Sequence, residues 1–164
     1  MFLILLLGLA TVAITVTIHA AGTTWWIRRL LHRPRPTTIR RTTGLAVLVE
    51  TALVLIWLHT LEVVAWALAY LAAGTDGLES FEAALYFSFT TFTTLGYGDI
   101  VIAESWRLLT GIESLNGVLL IGWSTALSFT VIERVWQAHT GLAPHTGTGL
   151  DGAGLNDSEP PPTP

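Results

Sequence analysis

Three apolar runs long enough to cross a bilayer constrain this chain more than any other feature. Residues 2–21 contain no Asp, Glu, Lys or Arg. They reach the roughly 20 residues that a helix needs to span the hydrocarbon core. Residues 44–72 form a second run, interrupted only by Glu50, His59 and Glu62, and residues 108–132 form a third, closed by Glu133, Arg134 and Trp136. With 51% hydrophobic and 12% charged residues and a mean hydropathy of +0.58, the 164-residue chain reads as an integral membrane protein. A cleaved leader is the rival for the first run, but no basic segment precedes it, and Ile18 stands where a cut after Ala20 would want a small residue.

The connecting segments are equally directive. Six of the eight basic residues, Arg28, Arg29, Arg33, Arg35, Arg40 and Arg41, lie between the first two runs, and residues 73–105 contain none. Excess arginine marks cytoplasmic loops, so the N-terminus is expected outside and the C-terminus inside a cell membrane. Between two apolar runs, the arginines read as juxtamembrane rather than nucleic-acid binding. Pro34 and Pro36 break helix there. The expected organisation is an N-terminal transmembrane helix (1–27), a basic cytoplasmic loop (28–43), a pore-like unit (44–136) and a disordered tail (137–164) rich in Gly, Thr and Pro. With no cysteine, no metal-ligand spacing, no nucleophile–base pair and no cofactor motif, neither an enzyme nor a cofactor is expected.

Within residues 44–136, Gly74 and Gly77 end the second run, and Ser80 caps a short helix expected over 81–92. Twelve residues are too few to cross a bilayer, so this is a re-entrant half-span. Irregular backbone follows it at 93–99, before the third spanning helix, expected over 106–136. Non-helical backbone at that depth survives only where it is buried in protein or lines an aqueous cavity. If successive residues alternate backbone handedness, their carbonyls turn toward one axis, and Gly96 and Gly98 accept positive φ at little steric cost. Several chains sharing the axis would stack rings of oxygens able to replace the hydration shell of a monovalent cation, with the Thr94 hydroxyl adding one more layer.

The string Thr93-Thr94-Leu95-Gly96-Tyr97-Gly98-Asp99 resembles the selectivity filter of potassium channels, and the order helix, half-span, filter, helix over 44–136 is similar to the small prokaryotic two-helix members, here with an extra N-terminal span. Leu95 stands where the family string has Val. The resemblance implies an all-α membrane protein with three transmembrane helices, a pore helix and a filter loop, assembled as a homotetramer. It implies potassium ions coordinated by the carbonyls of Thr94, Leu95, Gly96 and Tyr97 and by the Thr94 hydroxyl. Thr93, Gly98 and Asp99 would support the filter, with Asp99 outermost. The implied function is passive, potassium-selective conduction. A weakly selective cation channel and a non-conducting potassium-sensing subunit fit the same residues.

Other residues bear on gating. Gly117 falls near the hinge glycine of related channels, and both a hinge and close helix packing fit it. His59 and Glu62 share a face of the second helix, and antiparallel packing is expected to bring Glu113 beside one of them. Such a cluster reads either as a pH sensor or as a neutral hydrogen-bonded contact. Asp76, Glu79, Glu82, Asp99 and Glu104 outnumber Arg107 near the expected outer mouth and would concentrate cations there.

Overall fold

The computed structural model describes residues 1–32 and 41–140, with the side chains of 41–43 and 138–140 left aside. The expected disordered tail beyond 140 and Arg33, Arg35 and Arg40 lie outside the described residues. Every regular element described is helical: α1 (Phe2–Leu31), α2 (Arg41–Ala73), α3 (Phe81–Phe92), a 3₁₀ turn (Glu104–Trp106) and α4 (Arg107–Thr140). Phe2–Leu31, Gly44–Ala73 and Glu104–Gln137 are each long and apolar enough to span a membrane. Several boundaries differ from expectation. Arg28 and Arg29, assigned to the loop, lie in the last turn of α1, where the helix dipole favours cations. α2 opens at Arg41 rather than 44, and α4 takes in residues 137–140, where Gln137 bonds Glu133 one turn back at 3.1 Å.

α1 packs inside out. The buried positions of α1 are Gly8, Thr11, Thr15, His19, Thr23 and Trp26, a stripe at helical spacing made of small and polar groups, while Leu3, Leu6, Leu9 and Ile14 are exposed. In lipid, leucine loses nothing by facing outward, and helices gain by close approach and by satisfying polar groups between them. The threonines bond back to their own helix: Thr11 donates to the Leu7 carbonyl at 2.9 Å and Thr23 to that of His19 at 2.7 Å. Toward neighbours, Asn116 of α4 donates to Thr15 at 2.8 Å and the Trp26 indole to Thr51 of α2 at 3.1 Å. α1 is thereby docked on both α2 and α4.

α3 is held in the wedge between α2 and α4. Ser80 accepts from the Ala83 N–H at 3.1 Å and starts it. Its inner face, Ala84, Phe87 and Phe92, joins Trp66, Tyr70, Leu109 and Leu120 in the core, with Tyr70 edge-on to Phe87 at 5.3 Å between centroids. Ser114 of α4 donates to the Thr91 carbonyl at 3.1 Å, fastening the C-terminal end of α3.

Candidate functional site

The 93–99 segment leaves the end of α3 through a tight series of backbone bonds. The N–H groups of Thr93, Thr94 and Gly96 donate to the carbonyls of Phe89, Thr91 and Thr90 at 3.2, 3.0 and 3.1 Å. Positive φ then falls on alternate residues: Thr94 (59°), Gly96 (52°) and Gly98 (78°), with no positive φ at Leu95 or Tyr97 between them. This is the alternation that turns successive carbonyls to one side. A β-carbon built on Gly96 or Gly98 would meet nothing within 4 Å, so backbone handedness and not space demands glycine there. Thr94 is the residue the sequence reading did not mark for positive φ. A β-branched residue in that region costs about 1–2 kcal/mol, and such strain is retained where function needs it.

All seven residues from 93 to 99 are exposed on the single chain, with Tyr97 at 68%. At the far end of the segment, the Tyr86 hydroxyl of α3 donates to Asp99 at 2.8 Å. That bond holds the Asp99 carboxyl below its usual range and raises the Tyr86 hydroxyl above its own. Glu104, one of the acids expected at the outer mouth, pairs with Arg107 at 3.0 Å on an exposed face, a contact worth little.

The residues suggested for gating separate into three places. α4 runs as continuous helix through Gly117, which is buried against the end of α3: a β-carbon there would overlap the Phe92 carbonyl. Close packing is therefore present at this position. Glu113 does not join His59 and Glu62. It accepts from the Tyr70 hydroxyl at 2.7 Å, with Ser88 next to it. The reason is register: Tyr70 faces Glu113 and His59 faces Ser124 (2.9 Å), two contacts in one antiparallel alignment, each three helical turns from the other. Pairing Glu113 with Glu62 would put the helices about two turns out of this alignment.

In place of Glu113, the partner of Glu62 is His19 of α1, which the sequence reading passed over. Its Nδ1 lies 2.8 Å from Glu62 Oε1, while His59 Nδ1 lies 2.8 Å from Glu62 Oε2. His19 and Glu62 are fully buried. The available signal was His19's position as an ionisable side chain on the small-and-polar stripe of an otherwise apolar run.

Residues 56–134, from the middle of α2 through α3 and the 93–99 segment to the lower part of α4, match a family model described as an ion channel. This match supports an ion channel family and an ion channel function, and with the three long apolar helices it supports a multi-pass membrane protein. α1 lies outside the matched residues. No curated protein and no solved structure gives a significant match to the chain.

Proposed function

We propose that the chain forms a homotetrameric, potassium-selective pore in a cell membrane, with residues 93–99 of four copies as its filter. The observation that carries this reading is the alternating positive φ at Thr94, Gly96 and Gly98, between a half-span helix and a spanning one. Four such segments around an axis present rings of carbonyls from Thr94, Leu95, Gly96 and Tyr97, which take the place of water around a dehydrated monovalent cation. The Thr94 hydroxyl adds the innermost ring. Thr93 stays on the α3 end through its N–H and its hydroxyl, the latter donating to Phe89 at 2.6 Å, while Gly98 and the Tyr86-bound Asp99 hold the outer end. The C-terminal end of α3 carries partial negative charge, which favours a cation below the filter.

The exposure of this segment on one chain fits an assembly in which neighbouring copies cover it, and closed cyclic symmetry is the common solution for such contacts. The arginine bias between the first two spans supports a cytoplasmic α1–α2 connection and an outward-facing filter mouth.

The test is cation flux through the purified full chain in liposomes, with potassium and sodium gradients compared and Gly96→Ala as the dead-filter control. Potassium flux well above sodium flux, lost in the control, is the expected result. Equal potassium and sodium flux would replace the proposal with a weakly selective cation channel. No flux across a broad range of pH and voltage would favour the non-conducting subunit.

A further inference from the structure

At the junction of α1, α2 and α4, His19, His59, Glu62 and Ser124 close a ring. The two carboxylate oxygens of Glu62 each meet the Nδ1 of a different histidine at 2.8 Å. On the opposite side, Ser124 Oγ lies 2.9 Å from His59 Nε2 and 3.4 Å from His19 Nε2. The imidazoles stack with centroids 5.4 Å apart, and Trp123 and Phe92 lie against them at 5.4 and 6.0 Å.

The proton count of this ring is revealing. With both histidines neutral and both Nδ1–H groups donating to an ionised Glu62, two Nε2 lone pairs compete for the single Ser124 proton, and one buried acceptor is left short. Moving each proton from Nδ1 to Nε2 removes the conflict: both Nε2–H groups then donate to the two lone pairs of Ser124 Oγ. The two Nδ1 lone pairs are then left facing the two carboxylate oxygens, an arrangement that either a metal ion between them or one further proton on the ring satisfies.

We propose that His19 Nδ1, His59 Nδ1 and the Glu62 carboxylate bind a divalent transition-metal ion of the zinc class, with Ser124 as the orienting acceptor behind both imidazoles. Two imidazoles and a carboxylate are a donor set for such ions, whereas magnesium and calcium want oxygen throughout. Ligand atoms of the three residues lie within 4.8 Å of one another, and tetrahedral metal–nitrogen bonds of about 2.0–2.1 Å hold two nitrogens about 3.4 Å apart, so binding draws the side chains together by up to about 1.4 Å. The bound ion compensates the buried carboxylate. A hydrophobic wall of Trp123 and Phe92 and a hydrogen-bonded second nitrogen on each histidine are the outer features that metal sites use. His59 is 22% exposed on the single chain. Because His19 lies outside the matched ion channel segment, the ion would clamp the additional helix to the pore unit. This inference stands apart from the filter.

The test uses the untagged full chain in detergent, stripped with a chelator, loaded with Zn²⁺ and passed through gel filtration before metal analysis. A parallel Co²⁺ titration reads visible absorption. One Zn²⁺ per chain is expected, with affinity reduced at least about 100-fold by His19→Ala or Glu62→Gln and about 10-fold by Ser124→Ala. His32→Ala is expected to bind as wild type. Should His19→Ala fail to give folded protein, Glu62→Gln and His59→Ala carry the test. Negligible uptake by the wild-type chain overturns the proposal, which leaves an extra proton to complete the ring. Undiminished uptake by Glu62→Gln and His59→Ala overturns it equally.

Discussion

Gly117 of α4 lies directly against the Phe92 carbonyl at the end of α3, so closely that a β-carbon on Gly117 would overlap that oxygen. The obstructing atom belongs to backbone, which cannot swing aside as a side chain would. Gly117→Ala is therefore expected to destabilise the folded chain by about 1–3 kcal/mol, as overpacking does. Gly122→Ala, with nothing within 4 Å in the chain, is expected to stay within about 0.5 kcal/mol of wild type. Thermal unfolding in detergent checks both. Equal midpoints for the two variants would remove the packing role of Gly117.

Gly96 poses the opposite case, since its β-carbon would have room and only the sign of φ opposes it. Gly96→Ala is expected to abolish potassium flux in liposomes while leaving helical circular dichroism and gel-filtration elution unchanged. A variant that conducts as wild type would show that alternation of handedness is not what the segment is used for.

The Tyr86–Asp99 bond defines a pH window at the outer end of the segment. Asp99 has its carboxyl lowered from the usual 3.8 by this bond, so the contribution of the bond is complete above that value and is lost as pH falls through the lower, folded value. Tyr86 has its hydroxyl raised from 10.0 by the same bond, so its contribution is complete below 10.0 and is lost as pH rises through the higher value. Both groups are exposed, and the effect on overall stability is small. Carboxyl NMR of Asp99 is expected to titrate below 3.8, moving upward in Tyr86→Phe. An unchanged midpoint in that variant would mean the bond does not form in solution.

Tyr70 and Glu113 tie α2 to α4 within the spanning region, and removing the hydroxyl leaves a buried carboxyl without its donor. Tyr70→Phe is expected to cost about 1–3 kcal/mol, and Glu113→Gln less, because its amide oxygen still accepts. The double variant Tyr70→Phe with Glu113→Leu is expected to be more stable than Tyr70→Phe alone, since no polar group is then stranded. Additive losses in this cycle, followed by thermal unfolding, would show that the two side chains are not coupled.

Much of the architecture is legible one segment at a time. The three spans, the Ser80 cap and the short helix over 81–92 follow from run length, hydropathy and capping chemistry, all local. Gly96 and Gly98 announce positive φ because no other residue adopts it so cheaply. Thr94 does not announce it, since its strain is imposed by the segment on either side and not by its own preference.

Partnership between helices is where local reading stops. The ionisable residues of the spans are plain in the sequence, and so is their need for partners in a medium without water. Which partner each finds depends on how one helix slides and rotates against another, and a shift of two turns exchanges every neighbour while leaving each helix intact. Packing set that register, through the glycine seated on Phe92 and the stripe of small and polar residues that seats α1. By itself the amino-acid sequence determined three helices long and apolar enough to cross a membrane and a short irregular segment between the short helix and the last of them. Only the tertiary structure decided that His19 meets Glu62, that Glu113 meets Tyr70 and that Gly117 is a contact, because those choices are made by surfaces that exist only after the helices have formed.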